Sequence, residues 1–358
     1  MVLTSMIHAM IMPTAPTLGP FLELAPCRRL QRCLYFRETK VRTSMQVMSL
    51  MEKQSTDFDA QGGEKLLVDD RTEGKSIAGS VVALGKFDAL HIGHRALAIQ
   101  ASRMGPPVLL SFRGMAEVLQ WEKRLPIVAP CDRKRVMSLW SMVCGGNAPV
   151  EHHLEFAKVR SLSPHDFVER LAKELLVKGV VAGANYRFGY KAAGDASDLV
   201  QLCGKFGLEV FIVDPVMDET TKLNKEATDL EGNSREMGQV SSTRVRKALS
   251  IGDMRRVAEL LGREHRVVVT VDSSAVNSTL VCAHTSNALN QVPMDGLYSS
   301  KICLSQFGSN EVNAKSLMIG LVRVGNQQVV AKLDEGSFPG DLVGQRLLCL
   351  DLQNRVFD

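Results

Sequence analysis

The chain has 358 residues, 45% of them hydrophobic and 23% charged, with a formal net charge of +4, a length that allows one large or two ordinary globular domains. Residues 1–51 carry six basic residues against two acidic ones, and removing these from the totals of 43 and 39 leaves 37 of each. The remainder is electrically balanced and gives no argument for a nucleic-acid partner.

Residues 1–51 also hold seven of the 16 Met and eight Ser or Thr. An Arg-rich, hydroxyl-rich, acid-poor start reads as a transit segment, for the plastid stroma or, as the alternative, the mitochondrion. No apolar stretch within it approaches a membrane span, and no membrane partner is expected. We assign 1–55 to this segment and 56–78, polar and glycine-bearing, to a flexible lead-in. The eight cysteines are scattered without a C-x-x-C spacing, as expected of reduced thiols.

The stretch VVALGKFDALHIGHRAL (81–97) opens the structured part. Its apolar run, ending in Gly85, predicts a buried strand, and helical spacing begins after His91. A strand turning tightly into a helix through Gly93 aims backbone N–H groups and the positive helix end at one spot, which suits a phosphate. His91 and His94 flank that turn. Imidazoles there can donate to phosphoryl oxygens, cap the helix or share a metal, although no third ligand nearby has a helpful spacing.

Further along, 107–112 (PVLLSF) predicts a second strand, and 131–144 a helix with Val136, Leu139, Trp140 and Val143 on one face. Residues 150–156 predict a third strand. Ser163 followed by Pro164 marks a helix start leading into Phe167, Leu171 and Leu175. Residues 178–183 predict a strand, 195–206 a helix and 208–214 a fifth strand. This alternation implies an α/β, Rossmann-like parallel sheet covered on both faces, with ligands outside the carboxyl ends of its strands. Residues 214–238 read as a long loop or insert. Ser241 then caps a helix through Ala248, and Asp253 caps another that ends at Gly262.

The start of the first of these helices, VSSTRVR (240–246), crowds Ser241, Ser242 and Thr243 beside Arg244 and Arg246. It reads as a second anion site or as an ordinary cap followed by solvated arginines. From 265 onward the texture is short alternating runs, 266–271, 300–304, 317–324 and 328–333, which predict a smaller β-rich domain, a barrel or sandwich.

The G-K-F-D-A-L-H-I-G-H run at 85–94, with S-S-T-x-x-R at 241–246, resembles the nucleotidyltransferase superfamily that shares an H-x-G-H signature. Asn185-Tyr186-Arg187-Phe188-Gly189 is similar to the flavin-contacting loop of one branch, the adenylyltransferase module of prokaryotic-type FAD synthetases. The resemblance covers about residues 79–265 and, with the transit-like start, points to a plastid member. It implies an enzyme joining ATP and FMN into FAD and pyrophosphate, with Mg2+ accompanying ATP and no protein side chain nucleophile. It makes His91, His94 and Arg246 the catalytic residues. ATP would contact Gly85, Lys86, Phe87, Asp88, His91, Gly93, His94, Ser241, Ser242, Thr243 and Arg246, and FMN would contact Phe112, Asn185, Tyr186, Arg187 and Phe188. No residue is assigned as a metal ligand.

The chain departs from the family's usual Asn at Lys86, Gly at Ala89 and a proline-containing stretch at 113–115. The nucleotidyltransferase domain is placed at 79–264 and a degenerate riboflavin-kinase-like, barrel-like domain at 265–358. The kinase's Pro-Thr-Ala-Asn segment is absent from the sequence, so kinase activity is not expected. Two other readings remain: an adenylyltransferase for another phosphorylated acceptor, or a non-catalytic flavin or nucleotide binder.

Overall fold

The computed structural model describes residues 76–218, 238–272, 275–306, 317–338 and 345–356, all within one compact unit spanning 61–358. The proposed transit segment, residues 56–75 of the lead-in and residues 219–237 of the 214–238 loop lie outside the described residues.

The first half of the unit is built on five parallel strands: β1 (Val81–Leu84), β2 (Pro107–Arg113), β3 (Val150–Glu155), β4 (Gly179–Gly183) and β5 (Glu209–Val213). Their order is β3-β2-β1-β4-β5, so the chain reverses direction between β1 and β4. That reversal opens a crevice at the carboxyl ends of the two strands. Successive residues of β1 point to opposite faces. Val82 and Leu84 join a core with Leu110, Val180, Phe167 and Leu171, and Val81 and Ala83 join another with Leu109, Ala98, Val136 and Trp140. Both faces are therefore covered, as the near-continuous apolar strands predict.

The helices follow their caps. Helix α1 (Ile92–Met104) starts at His91, whose Nδ1 accepts the His94 N–H at 3.2 Å. After β2 come α2 (Met115–Leu119), which the sequence reading missed, and α3 (Arg133–Ser138). After β3 come α4 (Phe156–Val159) and α5 (Pro164–Lys173), the latter capped by Ser163. Helix α6 (Ala196–Lys205) carries a capping box between Asp195 and Asp198, and Ser241 and Asp253 cap α7 (Ser242–Ser250) and α8 (Met254–Leu261).

The helix expected over 131–144 is a correction. Only α3 is α-helical, and three-residue turns flank it at Pro130–Asp132 and Met142–Cys144. The tighter turns rotate the faces, so Val136 and Trp140 are buried while Leu139 and Val143 are 55% and 50% exposed.

The second half is a curled antiparallel sheet of β6 (His265–Asp272), β7 (Leu280–His284), β8 (Gly296–Gln306), β9 (Met318–Gly325), β10 (Gln328–Leu333) and β11 (Gln345–Val356), in the order β6-β11-β8-β9-β10-β7. Strands β7 and β11 were not predicted, and β8 starts four residues before the predicted 300. Helices α7 and α8 close its inner face. Val245, Leu249, Val257 and Leu260 share one core with Val267, Val269, Tyr298 and Leu350. Ala89 and Ile127 reach the same core from the first half, which bears directly on the site.

Candidate active site

The turn from β1 into α1 is strained and locked. Phe87 (φ 35°) and Leu90 (φ 46°) adopt left-handed backbone, and both side chains are fully buried. Such conformations persist only where the surroundings over-determine them. Ala89 has no positive φ, so the glycine usual in the family is not needed for conformation here.

A cavity of about 790 Å³ opens at the β1/β4 crevice and is lined by His91, Gly93, His94, Ser241, Ser242, Asn185 and Phe188, among others. That size is ordinary for a small-molecule or nucleotide site. Of the sequence-predicted residues, Gly85, Lys86, Phe112, Tyr186 and Arg187 also line it. Three separate sequence motifs, at 85–94, 185–189 and 241–246, therefore meet in one space. Phe87, Asp88, Thr243 and Arg246 are not on the wall.

On one side are the imidazoles. The His91 and His94 rings stack with centroids 3.6 Å apart, and Gly93 fits beneath them, since a Cβ there would lie 3.1 Å from the His91 ring. Because His91 Nδ1 accepts the His94 N–H, the proton of its neutral ring sits on Nε2. Burial pushes the His91 pKa down to about 4, assisted by the nearby Arg263 charge. Burial, then the His91 ring, then Arg133 and Arg263, push His94 well below its ordinary value. His94 Nδ1 is buried without a hydrogen-bond partner, a polar atom left for a ligand to satisfy. Two neutral rings in a positive field can donate N–H to an anion without carrying their own charge into the site.

Across the cavity stands an aromatic wall. Phe112 packs edge-on to Phe156 at 6.1 Å, Phe167 lies 5.8 Å from Phe188, and the Tyr186 and Phe188 rings are nearly parallel at 6.1 Å. The sequence reading assigned neither Phe156 nor Phe167 to the site, placing Phe167 only on the apolar face of α5; their signal is position, just after β3 and in the first turns of α5. The Asn185 to Gly189 loop is held at its start and its middle. Asn185 Nδ2 donates to Gln239 Oε1 at 3.1 Å, and Arg187 donates twice to the Ala192 carbonyl at 3.1 and 2.9 Å. Gly189 (φ 75°) is required, since a Cβ would approach Pro164 to 2.8 Å. Lys86 is exposed, with its ammonium 4.7 Å over the Trp121 ring.

The S-S-T-x-x-R residues divide. Ser241 and Ser242 reach the cavity and Thr243 is exposed, while Arg246 donates to Asp88 Oδ2 (2.7 Å), Gln291 Oε1 (2.6 Å) and the Leu125 carbonyl (3.0 Å). Asp88 also accepts the Ile127 N–H at 3.1 Å. In this state Asp88 and Arg246 tie the turn to α7 and to the second half.

The family model for FAD synthetase matches residues 74–227. The chain is 57% identical over 227 residues to "FAD synthetase 1, chloroplastic" and 56% identical over 233 residues to "FAD synthetase 2, chloroplastic", both of Arabidopsis thaliana. These alignments cover 63% and 65% of this chain and 64% and 62% of the relatives, so the chain matches less than two thirds of their length. A bifunctional riboflavin kinase/FMN adenylyltransferase of Listeria monocytogenes is 28% identical over 233 residues, covering 62% of this chain and 67% of that protein. A solved structure described as a macrolide-efflux protein from Streptococcus pneumoniae shares the fold, with TM-score 0.59 and 23% identity over 79% of this chain and 87% of that one. The family model's match ends at 227, before α7, α8 and the antiparallel sheet.

Proposed function

We propose that the protein is an FMN adenylyltransferase, transferring AMP from ATP to FMN to give FAD and pyrophosphate. The observation that carries this is the meeting in one cavity of the stacked His91–His94 pair and the aromatic wall beside Asn185. The first suits a phosphate chain and the second suits a flat, amphipathic ring system.

In the reaction an FMN phosphate oxygen attacks the α-phosphorus of ATP in line. The new P–O bond forms as the bond to the β-phosphate breaks, and pyrophosphate leaves. Positioning and charge neutralisation suffice, so no covalent enzyme intermediate is needed. His91 and His94 donate to the α-phosphoryl oxygens as charge builds there. The α7 start, with Ser241 and Ser242, holds the leaving phosphates. Tyr186, Phe188 and Phe112 hold the flavin, with Asn185 at its edge.

The donor set fits magnesium held chiefly by substrate. Asp214 is the one carboxylate among the described lining residues, and Mg2+ commonly keeps few protein ligands and binds phosphate oxygens. Bound there, the ion would neutralise phosphate charge. The absence of Pro-Thr-Ala-Asn supports a protein without riboflavin kinase activity. The composition of residues 1–51 and the relatives' names support a chloroplast location.

The test is the full chain with ATP and magnesium and either FMN or riboflavin, followed by chromatography of the flavins. FAD from FMN alone is expected. No FAD from FMN overturns the main reading, and FMN from riboflavin overturns the absence of a kinase. Import of a fluorescent fusion of residues 1–55 into isolated plastids tests the location.

A further inference from the structure

The strained turn at 87–90 leaves backbone carbonyls that no helix or strand satisfies, and such groups must find other partners when buried. Two arginines supply them. Arg133 Nη2 donates to the Phe87 carbonyl at 2.8 Å while its fork is held by Glu151 at 2.7 and 2.5 Å. Arg263 donates to the Leu90 carbonyl at 2.7 Å and the Ala89 carbonyl at 2.9 Å. Neither arginine lines the cavity.

Arg263 leaves α8 through Gly262 (φ 68°), where a Cβ would come within 2.7 Å of Ile92, the first residue of α1. The guanidinium is therefore carried by the segment that joins α8 to β6, beyond residues 74–227 that the family model matches. A planar fork spanning two successive carbonyls fixes peptide orientation in a way a single ammonium cannot. The next residue after Leu90 is His91, whose Nδ1 sets the first turn of α1.

We infer that Arg263, with Arg133 opposite it, is a positioning residue for the adenylyl transfer: it grips the Ala89 and Leu90 carbonyls and so fixes the His91–His94 pair. This rests on the function proposed above. The α8–β6 junction thereby becomes part of the machinery of the first half. The Arg263 charge also opposes protonation of both imidazoles, in keeping with the neutral pair.

The experiment compares Arg263→Met, Arg263→Lys and Val257→Ala in the full chain. Val257 is a fully buried α8 residue of the core whose side chain has no group that can hydrogen-bond the turn's carbonyls, so its truncation lowers stability by another route. For Arg263→Met we expect kcat to fall at least about tenfold with KM for FMN within about twofold, because misplaced groups lose turnover before binding. Arg263→Lys, with one charged donor in place of the fork, should recover part of kcat. Val257→Ala should keep wild-type kcat below its thermal midpoint. Unchanged kcat in Arg263→Met, or an equal loss in Val257→Ala, overturns the inference. Should Arg263→Met fail to fold, Arg263→Lys decides: wild-type kcat overturns it and a partial loss supports it.

Failure of the functional reading is separate, since it would show as no FAD from the wild-type protein. Nitrogen-15 spectra of the histidine rings, without substrate, then carry the test. His91 should show one Nε2-protonated form in the wild type and in Val257→Ala, and an averaged signal in the Arg263 variants. A single form throughout overturns the inference.

Discussion

Arg246 Nη2 lies 2.7 Å from Asp88 Oδ2, joining residues 158 positions apart across the start of α7 and the turn after β1. Gln291 and the Leu125 carbonyl complete the guanidinium's partners. For Arg246 to grip leaving phosphates it must exchange Asp88 for them. Asp88→Asn, which weakens the pair while keeping its shape, should then lower stability by ~1 kcal/mol and leave ATP binding intact. Arg246→Met should lower both stability and kcat. The denaturation midpoints and kcat values of the two variants check this, and equal kcat losses would make the arginine's role entirely structural.

His94→Ala removes a ring whose Nδ1 has no protein partner. Turnover should drop about 10²-fold or more if the ring meets charge in the transition state, while FMN binding, followed by flavin fluorescence, changes little. Undiminished turnover would leave His94 only its packing against His91 and Phe87.

The aromatic wall predicts a different split. Tyr186→Ala should raise KM for FMN roughly tenfold, the equivalent of ~1.4 kcal/mol, through lost ring contact. KM for ATP should stay within about twofold. Steady-state titration of each substrate checks it, and equal rises in both would place Tyr186 in the general packing of the cavity.

Stability should fall as pH drops from about 6.5 towards 4. Burial depresses His91 and His265 to about 4 and also lowers His94, so the unfolded chain takes up protons over that window while the folded chain resists. The stability gained by folding with neutral rings is complete above pH 6.5 and is lost through the window, by up to ~1.4 kcal/mol per pH unit for each ring. His265 Nε2 hydrogen-bonds the Gln291 carbonyl at 2.8 Å. His265→Gln keeps a donor there and should reduce the slope by nearly one proton. Urea unfolding across the window measures it, and an unaltered slope would contradict the assignment.

Much of the first half was legible because it is specified locally. Ser163 before Pro164, Asp195 three residues ahead of Asp198, and Gly262 after α8 act within one turn of their own helix. Alternating strands and helices then leave few topologies, and the crevice between β1 and β4 follows from their order. The 131–144 helix misled because three-residue turns and α-helix share apolar spacings over so short a span. Strands β7 and β11 escaped notice, their pairing being set by neighbours far along the chain.

The sequence by itself determined the chemistry on offer: two imidazoles around a glycine at a strand-to-helix turn, hydroxyls at a second helix start and aromatics beside an asparagine. These are properties of residue type and short spacing. Only the tertiary structure decided which groups face the cavity and which hold it. Arg246 belongs to Asp88, Arg133 to Glu151 and Phe87, and Arg263 to Ala89 and Leu90. The reason is that a guanidinium reaches whatever acceptor the fold brings near, and that acceptor can lie 174 positions away, as Ala89 does from Arg263.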